Sequence, residues 1–137
     1  MSQPTNAAGT EGGADDDALA LAHALFDAAR EGNTDLLRGY LGAGAPANLT
    51  NAAGDSLLML AAYHGHDEAV QLILHHGADA NAANDRGQTP LAGAVFKGYT
   101  SVARVLLDAG ADPDAGRPTA REAAAMFSRT EILALLG

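Results

Sequence analysis

Apolar residues along this chain fall in short pulses of two to three helical turns, and the pulses come in pairs. The first pair covers residues 18–30 and 35–41; the second covers 57–63 and 68–75. The third covers 90–96 and 101–107, and the fourth 120–127 and 131–136. Helices this short are unstable in water by themselves, so packing between pairs must hold them. The second member of a pair is apolar on more than one face. Ala69-Val70-Gln71-Leu72-Ile73-Leu74 and Val102-Ala103-Arg104-Val105-Leu106-Leu107 each carry a single polar residue, as expected of a helix flanked on both sides by neighbours.

The polar residues between the pulses mark helix ends. Ser56, Thr89 and Thr119 stand where an N-cap hydroxyl is needed, and Pro90 follows at the first helical position, where its missing N–H is harmless. Thr34, Asp67, Thr100 and Thr130 occupy the equivalent site before the second helix of each pair, with Asp35, Glu68 and Glu131 behind three of them. The punctuation is periodic. Gly44-Ala45, Gly77-Ala78 and Gly110-Ala111 are 33 residues apart, and so are Gly32, Gly65 and Gly98. Asn48, Asn81 and Asp114 keep the same step, as do Gly54 and Gly87.

A 33-residue period in which Thr89-Pro90-Leu91 opens a helix resembles the ankyrin repeat family. The stretch from Gly65 through Asn81 and the element Gly87-Gln88-Thr89-Pro90-Leu91 carry the resemblance most fully. It implies an all-α fold, an ankyrin repeat solenoid of helix–turn–helix units joined by β-hairpin-like loops, with a concave protein-binding surface. The expected organisation is a disordered acidic head at 1–16 and a repeat domain at 17–137, with repeats at 17–47, 48–80, 81–113 and 114–137. The departures from the family pattern are specific. No copy keeps the His of Thr-Pro-Leu-His, which removes hydrogen bonds worth on the order of 1 kcal/mol each. Asn81 to Thr89 is eight steps but Asp114 to Thr119 is five, so the last loop is a tight turn at Gly116-Arg117-Pro118. Ser128 replaces a helix-ending Gly. The end repeats read as caps, with Ile132, Leu135 and Leu136 expected to cover the helix that carries Val105 and Leu106.

Composition narrows the function. A net charge of −9 and a pI near 4.7 argue against nucleic acid or an anionic membrane as partner. There is no cysteine, no basic-then-apolar secretion signal and no run approaching the roughly 18 apolar residues of a membrane span. Arg outnumbers Lys seven to one, which suggests a GC-rich bacterial genome and a cytoplasmic protein. No nucleophile elbow, phosphate loop or dinucleotide fingerprint is present, so no catalytic residue and no cofactor are expected. His64 and His66 are two apart and His75 and His76 are adjacent. Neither spacing stacks two rings on one helix face, so no metal site is expected.

The candidate site comes from superposing the repeats. In the family, the positions just before the Gly that ends the first helix line the concave surface. Here they are Arg30-Glu31, Tyr63-His64, Phe96-Lys97 and Met126-Phe127. Three of the chain's six aromatic residues fall in this set, and Arg, Tyr, Phe and Met are enriched at interface centres. The loop residues Asp85, Arg86 and Gln88 would flank the row. Two readings of the aromatics stay open, an interface or a patch over a thin Ala core. The expected partner is another protein, bound by a chain that is monomeric in isolation. The alternative use is as an accessory or immunity-type inhibitor, masking an enzyme or basic partner with the same acidic-flanked face.

The head's composition buries too little apolar surface to offset the entropy of ordering it. Deleting residues 1–14 is therefore expected to leave the thermal midpoint unchanged; a drop of several degrees would place the head against the stack.

Overall fold

In a computed structural model the chain is described over residues 2–137, with side chains from Asp16 onward. The acidic head expected at 1–16 lies, but for Asp16, outside the residues whose side chains are described. Eight helices follow one another among the described residues: α1 (Ser2–Glu31), α2 (Thr34–Gly42), α3 (Leu57–Tyr63), α4 (Asp67–His75), α5 (Pro90–Lys97), α6 (Thr100–Asp108), α7 (Ala120–Met126) and α8 (Thr130–Leu136). They form two layers. The first helix of each pair, α1, α3, α5 and α7, packs on its equivalents in the adjacent repeats, and α2, α4, α6 and α8 do the same outside them.

Small side chains set the spacing of the inner layer. Ala28, Ala61, Ala94 and Ala124 occupy equivalent positions of the four inner helices and are all buried. A column of methyl groups lets these helices approach closely, which explains why a chain so rich in Ala still builds a continuous core. The outer layer uses larger residues at its own equivalent positions. Ile73, Leu106 and Leu136 are buried one above the other along the chain, beside Val70 and Val102. At the C-terminal end Ile132 and Leu136 are buried as expected. Leu133, not Leu135, is the third residue packed on the core, because 132, 133 and 136 share one face of α8 at helical spacing.

Every outer helix opens one residue earlier than its sequence suggests, which corrects the expected caps. The N-cap residues are Asn33, His66, Tyr99 and Arg129, while Thr34, Asp67, Thr100 and Thr130 are the first helical residues. The reason lies in the backbone. The carbonyls of Asn33, His66, Tyr99 and Arg129 already accept from Leu37, Val70, Ala103 and Leu133, at 3.1, 2.9, 3.0 and 2.8 Å. Only Asn33 caps with its side chain. The other three side chains turn back onto the preceding repeat.

There they do something caps do not. His66 Nε2 lies 2.7 Å from the Arg30 carbonyl, and Arg129 donates to the carbonyls of Val95 at 3.2 Å and Phe96 at 2.7 Å. These are last-turn carbonyls of inner helices, where the intrahelical ladder runs out; that of Val95 also accepts from the Gly98 amide at 3.0 Å. The same side chains cover the glycine that ends the preceding inner helix. A Cβ on Gly65 would lie 3.0 Å from the Tyr99 ring, and one on Gly32 would lie 2.6 Å from the His66 ring. Both glycines also have positive φ, +76° and +73°, so they are required twice, for the turn and for the close approach.

Two further seams cross each repeat boundary. In the outer loops, Asn48 accepts from the Asp79 amide at 2.8 Å and Asn81 from the Asp112 amide at 2.7 Å. In the fingers, Asn84 organises its own loop by accepting from the amides of Arg86 and Gln88, and donates to Asp55 of the preceding finger at 2.8 Å. Backbone bonds from Asp85 to Ala53 and from Arg117 to Gly87 join successive fingers at 3.1 and 2.8 Å. In the last repeat, Ser128 takes the left-handed turn that Gly makes elsewhere, with φ +54°.

Gly65 and Gly77 separate the two demands on these turns. Both have positive φ, but nothing lies within 4 Å of a Cβ placed on Gly77. Gly77→Ala is expected to cost only backbone strain, about 1–3 kcal/mol, and Gly65→Ala measurably more, because the Tyr99 ring must also move. Equal urea midpoints for the two variants would show that the ring contact contributes nothing. Ending the chain at Gly116 is expected to expose the apolar side of α6 and cause association, read by light scattering. A monomeric truncation of equal stability would show that the last repeat is not a cap.

Candidate functional site

The last turns of α3, α5 and α7 end at equivalent points of successive repeats, and so their terminal side chains line up along the inner layer. The Tyr63 and Phe96 rings are parallel within 6° with centroids 6.5 Å apart. Phe127 meets Phe96 edge-on at 4.9 Å and 84°, a favoured aromatic geometry. These groups remain open to solvent: Phe96 is 44% exposed, Phe127 41% and Met126 65%. Lys97 Nζ sits 5.0 Å from the Tyr63 ring centre, and the Arg129 guanidinium 5.9 Å from that of Phe127, within cation–π range.

Beneath the rings lies a groove of about 400 Å³. Tyr63, Phe96, Phe127 and Met126 wall it, Ala92, Gly93 and Ala123 lie along its floor, and Gln88 and Pro118 close it from the finger side. Gly93 is notable because glycine inside a helix is about 1 kcal/mol less favourable than Ala. A Cβ there would lie 3.2 Å from Met59 Cε and 3.3 Å from Tyr63 Cδ1. The missing side chain thus makes room for the groove's own wall.

The expected row does not stay whole. Tyr63, Phe96, Met126 and Phe127 are brought together, with Lys97 against Tyr63 and Gln88 at the edge. Arg30 is placed elsewhere. It pairs with Asp27 at 2.9 Å and lines a separate hollow of about 890 Å³, between α1 residues such as Phe26 and the finger residues Thr50 to Ala53. Glu31 is exposed at the end of α1. His64 is exposed, edge-on to Tyr63 at 5.7 Å, with the His66 ring 6.4 Å away. Partial burial, followed by the charges of His66, Lys97 and Arg30, holds the His64 imidazole below its ordinary value. Arg86 lines a smaller hollow with Asp55, Met59, Tyr63 and Gln88, and Asp85 is exposed in the same finger. Met59, Gly93, Pro118 and Arg129 are contributors that superposing the repeats did not single out. Met59 and Gly93 lie four and three residues before Tyr63 and Phe96, so helical spacing alone could have found them.

The charge around the groove differs from that of the chain. Among the described residues the ion pairs are Arg30–Asp27, Arg38–Asp35 and Arg121–Asp114. Lys97, Arg86, Arg117 and Arg129 near the groove, and Arg104 on the outer helix α6, pair with none of the carboxylates, although acids outnumber Lys and Arg by 17 to 8. Where the acidic surplus suggests acidic flanks, two cations, Lys97 and Arg129, lie against the rings. Among the described residues, no group of three or more His, Cys, Asp or Glu is placed to hold a metal ion.

The family model for ankyrin repeats, in three copies, matches residues 25–117, about two thirds of the chain. The chain belongs to the ankyrin repeat family. The match stops before α7 and α8, the pair with the shortened loop and with Ser128 in place of a glycine. An ankyrin repeat protein of Pseudomonas aeruginosa is 60% identical over 42 residues, which are 31% of this chain and 25% of that relative. The likeness thus spans a quarter of the relative's length. Ankyrin repeats are in general protein–protein interaction modules and not enzymes. No described helix of this ankyrin chain is long and apolar enough to cross a membrane.

Phe96 distinguishes an exposed row from a core patch. Phe96→Ala removes ring contacts with Tyr63 and Phe127, each worth about 0.5–1.5 kcal/mol, from a side chain that is already 44% exposed. The expected loss in a urea melt is therefore about 1–2 kcal/mol. A loss of roughly 3 kcal/mol or more, the scale of buried aromatic truncation, would make Phe96 a core residue.

Proposed function

We propose that the row of Tyr63, Phe96, Phe127 and Met126 docks another protein, and that this ankyrin repeat chain acts as a non-catalytic interaction module, monomeric until it meets its partner. One observation supports this most: rings of three successive repeats stand together on one face, Phe96 and Phe127 exposed and Tyr63 half-buried, above a groove lined by small residues. Aromatic residues and Met are enriched at the centres of protein interfaces, and a face fixed by stacked helices loses little entropy when it binds. Asp85, Arg86 and Gln88 form its finger-side rim, His64 and Lys97 its edge along the inner helices. Arg30 and Glu31 lie one repeat further on, beside the hollow of α1, and would be reached only by a longer partner. Masking of a basic partner is the less favoured use, because Lys97 rather than an acid stands against the rings.

A photo-crosslinking residue placed at position 96 in the native cell is expected to capture a partner that the same residue at position 104, on outer helix α6, does not. Tyr63→Ala and Phe96→Ala are each expected to weaken that partner's binding by at least about 2 kcal/mol, the scale of interface hot spots. Full binding by both folded variants would overturn the proposal and shift attention to the finger tips around Asp85 and Arg86.

A further inference from the structure

We propose that the groove takes a protein segment that combines a bulky apolar side chain with neighbouring carboxylates, so that this acidic chain recognises an acidic partner. The inference rests on the reading of the concave row as a docking surface and adds the chemistry of what docks there. The apolar half follows from the walls and floor: Tyr63, Phe96 and Met126 around Gly93 offer no charged group inside the groove. The acidic half follows from the unpaired cations. Lys97 lies over Tyr63, Arg86 shares a hollow with Tyr63, Gln88 and one acid, Asp55, and Arg117 precedes the groove residue Pro118. None of the three has a carboxylate at ion-pair distance among the described residues, in a chain with twice as many acids as bases. The acids nearby are otherwise engaged or turned to solvent: Asp55 accepts from Asn84, Glu122 caps α7, and Asp85 is exposed at the finger.

A cationic ligand is disfavoured by the same geometry. An aromatic face attracts one cation, and Lys97 and Arg129 already occupy faces of Tyr63 and Phe127; a second positive charge would meet them. An enclosed small molecule is disfavoured too. Sites for such ligands cover most of the ligand surface, whereas Met126 and Phe96 are 65% and 44% exposed, so an occupant is covered from one side. A segment of protein surface, contributing one anchor side chain and acids around it, fits that shape.

The test selects short random peptides displayed on phage against the full chain, with counter-selection against Phe96→Ala. Thermal melts confirm that both proteins are folded. Expected are binders in which Leu, Ile, Phe or Trp stands beside Asp or Glu. Their affinity should fall about thirtyfold in Phe96→Ala and about tenfold in Lys97→Glu, and further when Arg86→Glu is added. Phe96-dependent binders rich in Lys and Arg, or acidic binders indifferent to Lys97→Glu, would overturn the charge assignment and leave the docking face standing. Selection that yields no Phe96-dependent binder would overturn both.

Discussion

Neighbouring repeats hold one another in their helical state. From α2 onward no helix exceeds nine residues, too few to persist alone in water. What each lacks is supplied from the next repeat along: a methyl column for the inner helices, a buried aliphatic column for the outer ones, and partners for the carbonyls left open where inner helices end. His66 and Arg129 show the last of these most directly, because a side chain at the start of one outer helix completes the end of the inner helix before it. The coupling runs only between adjacent units. Stability in such a stack is close to a sum of unit and boundary terms, so a defect at one seam weakens two repeats and leaves the others intact.

The candidate site inherits its rigidity from those seams. Tyr63 and Phe96 each stand at the end of an inner helix, next to a turn that the following repeat covers with Tyr99 or Arg129; Met126 stands at the same point of the last repeat. Arg129 joins the two roles, bonding to the carbonyls of Val95 and Phe96 while its guanidinium lies near the Phe127 ring. A partner seated on the rings would touch three repeats at once and bridge two boundaries. Binding and stacking would then favour the same arrangement, so occupancy should raise the stability of the stack by mass action.

The parts legible in the sequence are those that depend on local chemistry. The 33-residue step, the eight helices and the caps Ser56, Thr89 and Thr119 all follow from propensity, turn residues and period, because each is decided by residues close in the chain. The parts that escaped are decided across a repeat boundary. Thr34, Asp67, Thr100 and Thr130 look like caps by composition, yet His66, Tyr99 and Arg129 fill that position, since their side chains serve the preceding repeat. Asn48 and Asn81 recur at the right interval, but their hydrogen bonds reach a loop about thirty residues on, which no local pattern reveals. Arg30 fits the register of the stripe, but its side chain pairs with Asp27 and lines the hollow beside the first finger rather than the groove of the rings. Gly93 reads as a weak point in a helix until Met59 and Tyr63 are seen to occupy the space of its missing side chain.

The contrast between an acidic chain and a cationic groove edge is resolved by range. At physiological ionic strength charges more than about 8 Å apart are largely screened. The total of −9 therefore governs the long-range field that other molecules meet on approach. A segment already against the rings is governed instead by the few groups within contact range, and there Lys97 lies over Tyr63 with no carboxylate at ion-pair distance among the described residues. The two scales act in opposite senses on an acidic partner: weak repulsion during approach and attraction after docking. Such a pair would associate slowly at low salt and faster as salt screens the approach, while the docked contacts, partly shielded by Tyr63 and Phe96, lose less. A basic partner would show the reverse, with fast approach at low salt and repulsion from Lys97 after docking. The salt dependence of the association rate therefore reports the sign of the partner's charge separately from the strength of the complex.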